Sequence, residues 1–189
     1  MNVLISGGAS YVGAMLVPHL LADGHKVTVY DTLFFGDGCL PSDNGNLTII
    51  KGDVRDVEAW TKACKDQQAC IYLASISREL MCQNNPDLAY AVNVESFSPV
   101  VQIARKQGIK RFIYASSVAV YGSSDHDAKE SDPLLPMTAR QPIYGRGKVA
   151  CEKVLMDYDS DKFCWTVTRS ASVCGYSTRQ RLDITVNRM

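Results

Sequence analysis

Short runs of β-branched and aliphatic residues recur along the chain: Val3–Ile5, Val27–Tyr30, Leu47–Ile50, Cys70–Ala74, Arg111–Ser116 and Phe163–Thr168. The segments between them carry apolar residues at helical spacing. Val12, Met15, Leu16, His19 and Leu20 form one such face and Val94, Phe97, Val101, Ile103 and Ala104 another, with Gly24 and Gly108 as stop signals. The strand-like runs lack strict alternation, as strands covered on both faces do. The pattern therefore predicts an α/β fold, a doubly wound parallel sheet of about six strands with helices on both faces. Two loops interrupt it, Phe34–Asn46 and Ser123–Gln141. Each leads directly into another strand or helix, so residues 1–189 read as one domain without an internal repeat.

Composition narrows the function. With 189 residues, 46% of them apolar, the chain can bury one sizeable core. Twenty basic against 20 acidic residues give no net charge, which argues against a nucleic-acid binder. Apolar stretches are interrupted well before the roughly 18 residues that a membrane span needs. A strand-like run directly after Met1 leaves no room for a secretion signal, so the expectation is a cytoplasmic protein without a membrane partner. The seven cysteines, an odd number with no C-x-x-C pair, read as reduced thiols. His19, His25 and His126 offer no zinc-ligand spacing, and no metal is expected.

The first strand runs into Ser6-Gly7-Gly8-Ala9-Ser10-Tyr11-Val12-Gly13 and then a helix. A glycine turn opening a helix presents backbone N–H groups to a pyrophosphate, which suits a Rossmann-type dinucleotide site. The competing reading is a plain strand-to-helix turn. Asp31, 18 residues beyond Gly13 at the end of the second strand, stands where an acidic residue would accept both adenosine ribose hydroxyls and repel a 2′-phosphate. It favours NAD over NADP, although it could also cap the loop that follows. Further on, Tyr144 and Lys148 share one helix face at i, i+4, and Ser117 ends the fifth strand. A phenol beside an ammonium and a nicotinamide cation can serve as a general base near neutrality. The plainer alternative is a surface tyrosine beside a solvated lysine.

Seven segments in register carry a resemblance: Ser6–Gly13, Tyr30–Asp31, Gly52–Asp56, Tyr72–Ser75, Val92–Val94, Tyr114–Gly122 and Tyr144–Lys148. From residue 2 to about 183 the chain resembles the extended short-chain dehydrogenase/reductase family, in its NAD-dependent nucleotide-sugar epimerase/dehydratase group. The resemblance implies an NAD site formed by Gly7, Ser10, Tyr11, Val12, Gly13, Asp31, Thr32, Asp53, Val54, Leu73, Ala74, Ser75, Asn93, Tyr144 and Lys148. Ser117, Tyr144 and Lys148 are the implied catalytic residues. Read without the family, Asp53 and Asn93 could be helix caps, and Leu73 and Ala74 core residues.

The chain departs from that pattern in several places. Ser10 replaces the middle glycine of the phosphate turn, Gly147 replaces the serine before the lysine, and Ser172 stands where an asparagine reaches the substrate phosphate. Val118 and Ala119 occupy the positions of the acid pair of 4,6-dehydratases, so dehydration is disfavoured. The implied activity is NAD-dependent oxidation and epimerisation at a hydroxyl of a nucleotide sugar. A sugar dehydrogenase or 4-ketoreductase would use the same three residues, and a non-catalytic NAD-binding scaffold is the alternative from another class. Family members continue into a C-terminal substrate-binding portion that is largely absent here, so a piece of a longer enzyme, with apolar surface left exposed, is expected. The resemblance also implies a homodimer through Pro86–Lys106 and Tyr144–Tyr158. Arg179 and Arg181 could contact a diphosphate or be solvated.

Overall fold

A computed structural model of the chain describes residues 1–123, 127–138, 141–158 and 162–189. His126 lies outside them. The elements are, in order, β1 (Asn2–Ser6), α1 (Gly13–Ala22), β2 (Lys26–Asp31), β3 (Leu47–Lys51), α2 (Val57–Cys64), β4 (Ala69–Tyr72), α3 (Glu79–Asn84) and α4 (Pro86–Tyr90). A π-helical turn, Ala91–Glu95, leads into α5 (Phe97–Lys106), followed by β5 (Arg111–Ser117), α6 (Ile143–Met156) and β6 (Cys164–Ser170). All six strand-like runs of the sequence are strands. β4 stops at Tyr72, two residues before the run read from the sequence, because the Leu73 amide follows Ser6 O and the Ala74 amide turns to Ser6 Oγ.

The strands form one parallel sheet in the order β3-β2-β1-β4-β5-β6. This is the Rossmann arrangement, and its strand order reverses between β1 and β4. Register brings Ser6 level with Tyr30 and with Tyr72, and Ser117 level with Ser170. The carboxyl ends of the strands therefore open into one crevice, the place where such sheets bind ligands.

Each face of the sheet has its own core. Leu4, Tyr30, Cys70, Tyr72, Phe112 and Tyr114 pack under Trp60 of α2, Phe97, Val100, Val101 and Ala104 of α5, and Cys151 and Leu155 of α6. On the other face Val3, Ile5, Val27 and Val29 pack against Val17 and Leu21 of α1. The deep face of α1 is thus Ala14, Val17 and Leu21, not the Val12, Met15, His19 stripe expected from spacing. Leu16 and Leu20 flank it, whereas Val12 and His19 are exposed. Burial on both sides is fullest in β1. β5 and β6 alternate, with Thr166, Thr168 and Ser170 open to solvent. Exposed apolar side chains gather on the C-terminal segment at Val173, Tyr176, Leu182 and Val186. Among the described residues no helix is long and apolar enough to cross a membrane.

Candidate active site

The phosphate turn is built by close packing. Gly7 has φ +77°, and a Cβ there would sit 2.8 Å from Ala74 N. A Cβ on Gly13 would lie 2.4 Å from Gly8 O, so only glycine lets α1 close onto the turn. Ser10 is absorbed without disruption: its Oγ accepts from the Gly13 amide at 3.3 Å, and its carbonyl accepts from Ala14 N at 2.8 Å. It serves as a helix cap, and uses one of the terminal amides in doing so. Among the described residues, the Tyr11 and Val12 amides meet no acceptor. Val12 is exposed, whereas Tyr11 is buried beneath the C-terminal segment. The Tyr11 hydroxyl donates to Gly175 O at 2.7 Å, and Ser177 Oγ donates to Tyr11 O at 2.8 Å.

Asp31 joins the turn to β2. One carboxylate oxygen accepts from Ala9 N at 3.0 Å and the other from Leu33 N at 2.9 Å. The loop-cap reading of Asp31 thus holds in part, and a carboxylate with four acceptor positions has two to spare. Thr32 beside it is exposed. Asp53 caps no helix: it grips Arg55 through the backbone amide and the guanidinium, and that pairing holds its carboxyl below the ordinary carboxylate range. Asp56 caps α2 instead. Val54 is buried in the core. Asn93 reads both backbone groups of Ile76 and accepts from Ser75 Oγ at 3.2 Å, which fixes the segment after β4 that carries Leu73, Ala74 and Ser75.

Ser117, Tyr144 and Lys148 converge at the carboxyl end of β5. Gly145 makes this possible, because a Cβ there would lie 2.7 Å from Ala119 O and hold α6 away from the turn Val118–Val120. Ser117 Oγ accepts from Ala119 N at 3.1 Å and lies beside the Tyr144 phenol, whose pKa its hydroxyl lowers. Lys148, only 5% exposed, donates to Ala115 O at 2.7 Å and lies 4.8 Å from the Tyr114 ring centroid and 5.5 Å from that of Tyr144. Burial drives its pKa down to about 8, against the opposing pull of Cys151, Cys82 and Glu152. An ammonium has three donors, and among the described residues this one has a single hydrogen-bond acceptor.

The phenol differs from the sequence expectation. Burial raises the Tyr144 pKa overall, the neighbouring Ser117 hydroxyl offsets part of the rise, and the cation that helps is Arg181 rather than Lys148. Lys148 addresses the ring face instead of the hydroxyl. Arg181 donates to Ser77 Oγ at 3.2 Å and pairs with Asp183, which also binds Arg78 at 2.6 Å. Arg179 stacks over Phe35 with its guanidinium carbon 3.9 Å from the ring centroid.

Two groups of supporting residues went unread in the sequence. Glu79 accepts from the amides of Ile143 and Tyr144, each at 2.9 Å. The signal for it is an empty position: Gln141-Pro142 supplies no Ser, Thr, Asp or Asn to cap α6. The second group is centred on Glu152, 1% exposed, which accepts from Ser116 Oγ and from Arg169 on both oxygens. Arg169 in turn donates to the Tyr121 hydroxyl at 2.6 Å. The network ties the strand end bearing Ser117 to the helix bearing Tyr144.

Comparison with known proteins agrees with this fold. The family model described as "NAD dependent epimerase/dehydratase family" matches residues 3–189. UDP-glucose 4-epimerase 4 of Oryza sativa subsp. japonica is 31% identical over 171 residues, covering 85% of this chain and 46% of that protein. The UDP-N-acetylglucosamine 4-epimerase structure from Methanobrevibacter ruminantium M1, in complex with UDP-N-acetylmuramic acid, superposes with a TM-score of 0.79 at 29% identity. It covers 89% of this chain and 54% of that one. The UDP-glucose 4-epimerase of Thermus thermophilus, in complex with NAD, gives 0.79 at 27% identity, with the same coverage. The chain spans about half the length of the curated relatives it matches. With its parallel sheet, glycine turn and matching family model, the chain belongs to the NAD dependent epimerase/dehydratase family.

Proposed function

We propose that residues 1–189 are the NAD-binding domain of an NAD-dependent epimerase acting on a nucleotide sugar, with Ser117, Tyr144 and Lys148 as its catalytic residues. The observation that carries this reading is the convergence of the three at the carboxyl end of β5, with a buried ammonium that has donors to spare. The residues suit the cofactor: free amides at Tyr11 and Val12 for the diphosphate, Asp31 for the adenosine ribose, and Lys148 for the second ribose. Thr32, Asp53, Val54, Leu73, Ala74, Ser75 and Asn93 complete that site. NAD, when bound, supplies a hydride acceptor.

The chain's own residues handle the proton. Tyr144 takes it from the sugar hydroxyl, Ser117 holds the reacting oxygen, and the Arg181 charge favours the phenolate that Tyr144 must become, while Lys148 packs against the ring face. Val118 and Ala119 carry no group able to move a proton, which supports oxidation and re-reduction over dehydration. A UDP-sugar is the favoured substrate, because most of the 4-epimerases among the relatives are named for UDP-sugars. The exposed Leu88 and Tyr90 of α4 and Met156 of α6 support a homodimer through these helices, which sedimentation tests.

The decisive experiment is calorimetric titration of the chain with NAD and NADP, repeated on Tyr144→Phe. Binding of NAD in preference to NADP, retained in the variant, is expected. Turnover of a UDP-sugar should fall by about 10²–10⁴ in the variant, the usual contribution of a general acid–base. Absence of NAD binding, or undiminished turnover in Tyr144→Phe, overturns the proposal.

A further inference from the structure

α6 starts badly by its own resources. Its N-cap is Pro142, which offers no side-chain acceptor, and its first turn, Ile143-Tyr144-Gly145, contains no acidic residue and one helix-weakening glycine. The first amides of a helix have no partner within it. Here two of them are satisfied from a distant part of the chain, as Glu79 Oε1 accepts from Ile143 N and Oε2 from Tyr144 N. The carboxylate is held in turn by Gln83 Nε2 at 3.0 Å.

We propose that Glu79 is the positioning residue of the catalytic helix, fixing the Tyr144 phenol against Ser117 by clamping the Tyr144 amide. The inference rests on the assignment of Tyr144 as proton-transfer residue, and it adds a group that touches neither substrate nor cofactor. The clamp is well placed for this role. Asn93 anchors the cofactor-lining segment through Ile76, and three residues later the chain enters α3 at Glu79. Between them Arg78 has φ +78°, a region that side-chain-bearing residues avoid, and this turn aims Glu79 at α6. Arg78 is held by Asp183, and Ser77 by Arg181. One short segment thus connects the cofactor-lining stretch, the C-terminal arginine and the tyrosine helix.

The charged and titratable groups facing Glu79 are Arg146 on α6 and Cys82 on α3. Burial pushes the Glu79 carboxyl up, but the two amides, Gln83 and Arg146 outweigh it, and the net pKa lies below its ordinary value. The clamp is therefore intact at neutral pH and opens only in acid.

The test is nuclear magnetic resonance of the full chain, with ¹⁵N labelling and ¹³C-labelled tyrosine, on the native protein, Glu79→Gln and Glu79→Ala. In the native protein the Ile143 and Tyr144 amide protons should lie far downfield and move together on acidification as the carboxyl takes its proton. In Glu79→Ala both displacements should vanish, and the Tyr144 phenol should change its chemical shift and titration midpoint. Glu79→Gln, with one acceptor oxygen, should recover one amide bond and an intermediate phenol. Where turnover is measured, the alanine variant should lose about 10- to 100-fold in kcat with little change in KM for NAD, the result of misplacing a group by up to about 1 Å. Amide shifts indifferent to acid, or a Tyr144 phenol unchanged in Glu79→Ala, overturn the proposal. These spectra need neither NAD nor substrate, so failure of the functional assignment would show in the NAD titration while the clamp stood.

Discussion

Replacing Arg169 by Met tests how the site is supported. Arg169 keeps its aliphatic volume in that substitution but loses a guanidinium that meets both oxygens of Glu152, whose side chain is only 1% exposed. Removing one partner of a buried pair strands the other charge, which typically costs about 3–5 kcal/mol. For a chain of this size the loss corresponds to a fall of about 6–20 °C in Tm. Breaking the pair is costly, whereas removing both members is cheap, so Arg169→Met/Glu152→Gln should recover about 1–3 kcal/mol relative to the single variant. Urea denaturation followed by circular dichroism measures both free energies. A single variant within about 1 kcal/mol of the native chain, with effects that simply add in the double variant, would refute the reasoning.

Two further substitutions probe the turn and the lysine. Gly13→Ala places a Cβ 2.4 Å from Gly8 O, so it should destabilise by about 1–3 kcal/mol and weaken NAD binding more than tenfold, read by urea titration and calorimetry. Native-like affinity would mean that the turn tolerates displacement. Lys148→Met should stabilise the chain while impairing NAD binding. The drop in pKa from the ordinary 10.5 to about 8 corresponds to about 3 kcal/mol as an upper bound, since the bond to Ala115 is lost as well. The cost of burying that charge is fully present below pH 8 and is relieved as pH rises toward 10.5, so the stabilising effect should fade over that interval. Melting curves at pH 7 and pH 10 check the sign, and an unchanged difference would contradict it.

The sheet was legible because a parallel strand needs a short apolar run, and all six runs announced themselves. Face assignment was harder. In α1 the glycine turn pulls Gly13 and Ala14 inward, which rotates the buried stripe away from the one suggested by spacing alone. Asp31, Ser117, Tyr144 and Lys148 were visible as residue types at strand ends and at i, i+4, but their partners were not. Glu79 lies 65 residues before Tyr144, and Arg169 lies 17 beyond Glu152. Such contacts depend on where loops return, and no local period encodes them. The activation of Tyr144 was misjudged for the same reason: i, i+4 spacing put an ammonium beside the ring, whereas the charge that lowers the phenol's pKa comes from Arg181.

On the helix-rich face of the sheet the aromatic rings form a continuous series. Tyr30 meets Trp60 at 5.3 Å, Trp60 meets Tyr72 at 6.2 Å, Tyr72 meets Phe97 at 5.4 Å and Phe97 meets Tyr114 at 4.6 Å, mostly edge to face. Trp60 is wholly buried within this series, with its indole N–H on Val100 O. Such an indole emits at short wavelength, is shielded from dissolved quenchers, and couples its transitions to those of its neighbours. The protein therefore carries an optical gauge of its interior. Near-ultraviolet ellipticity and quencher-resistant emission would report the packing of the sheet, separately from whatever happens at the glycine turn beyond the carboxyl end of β1.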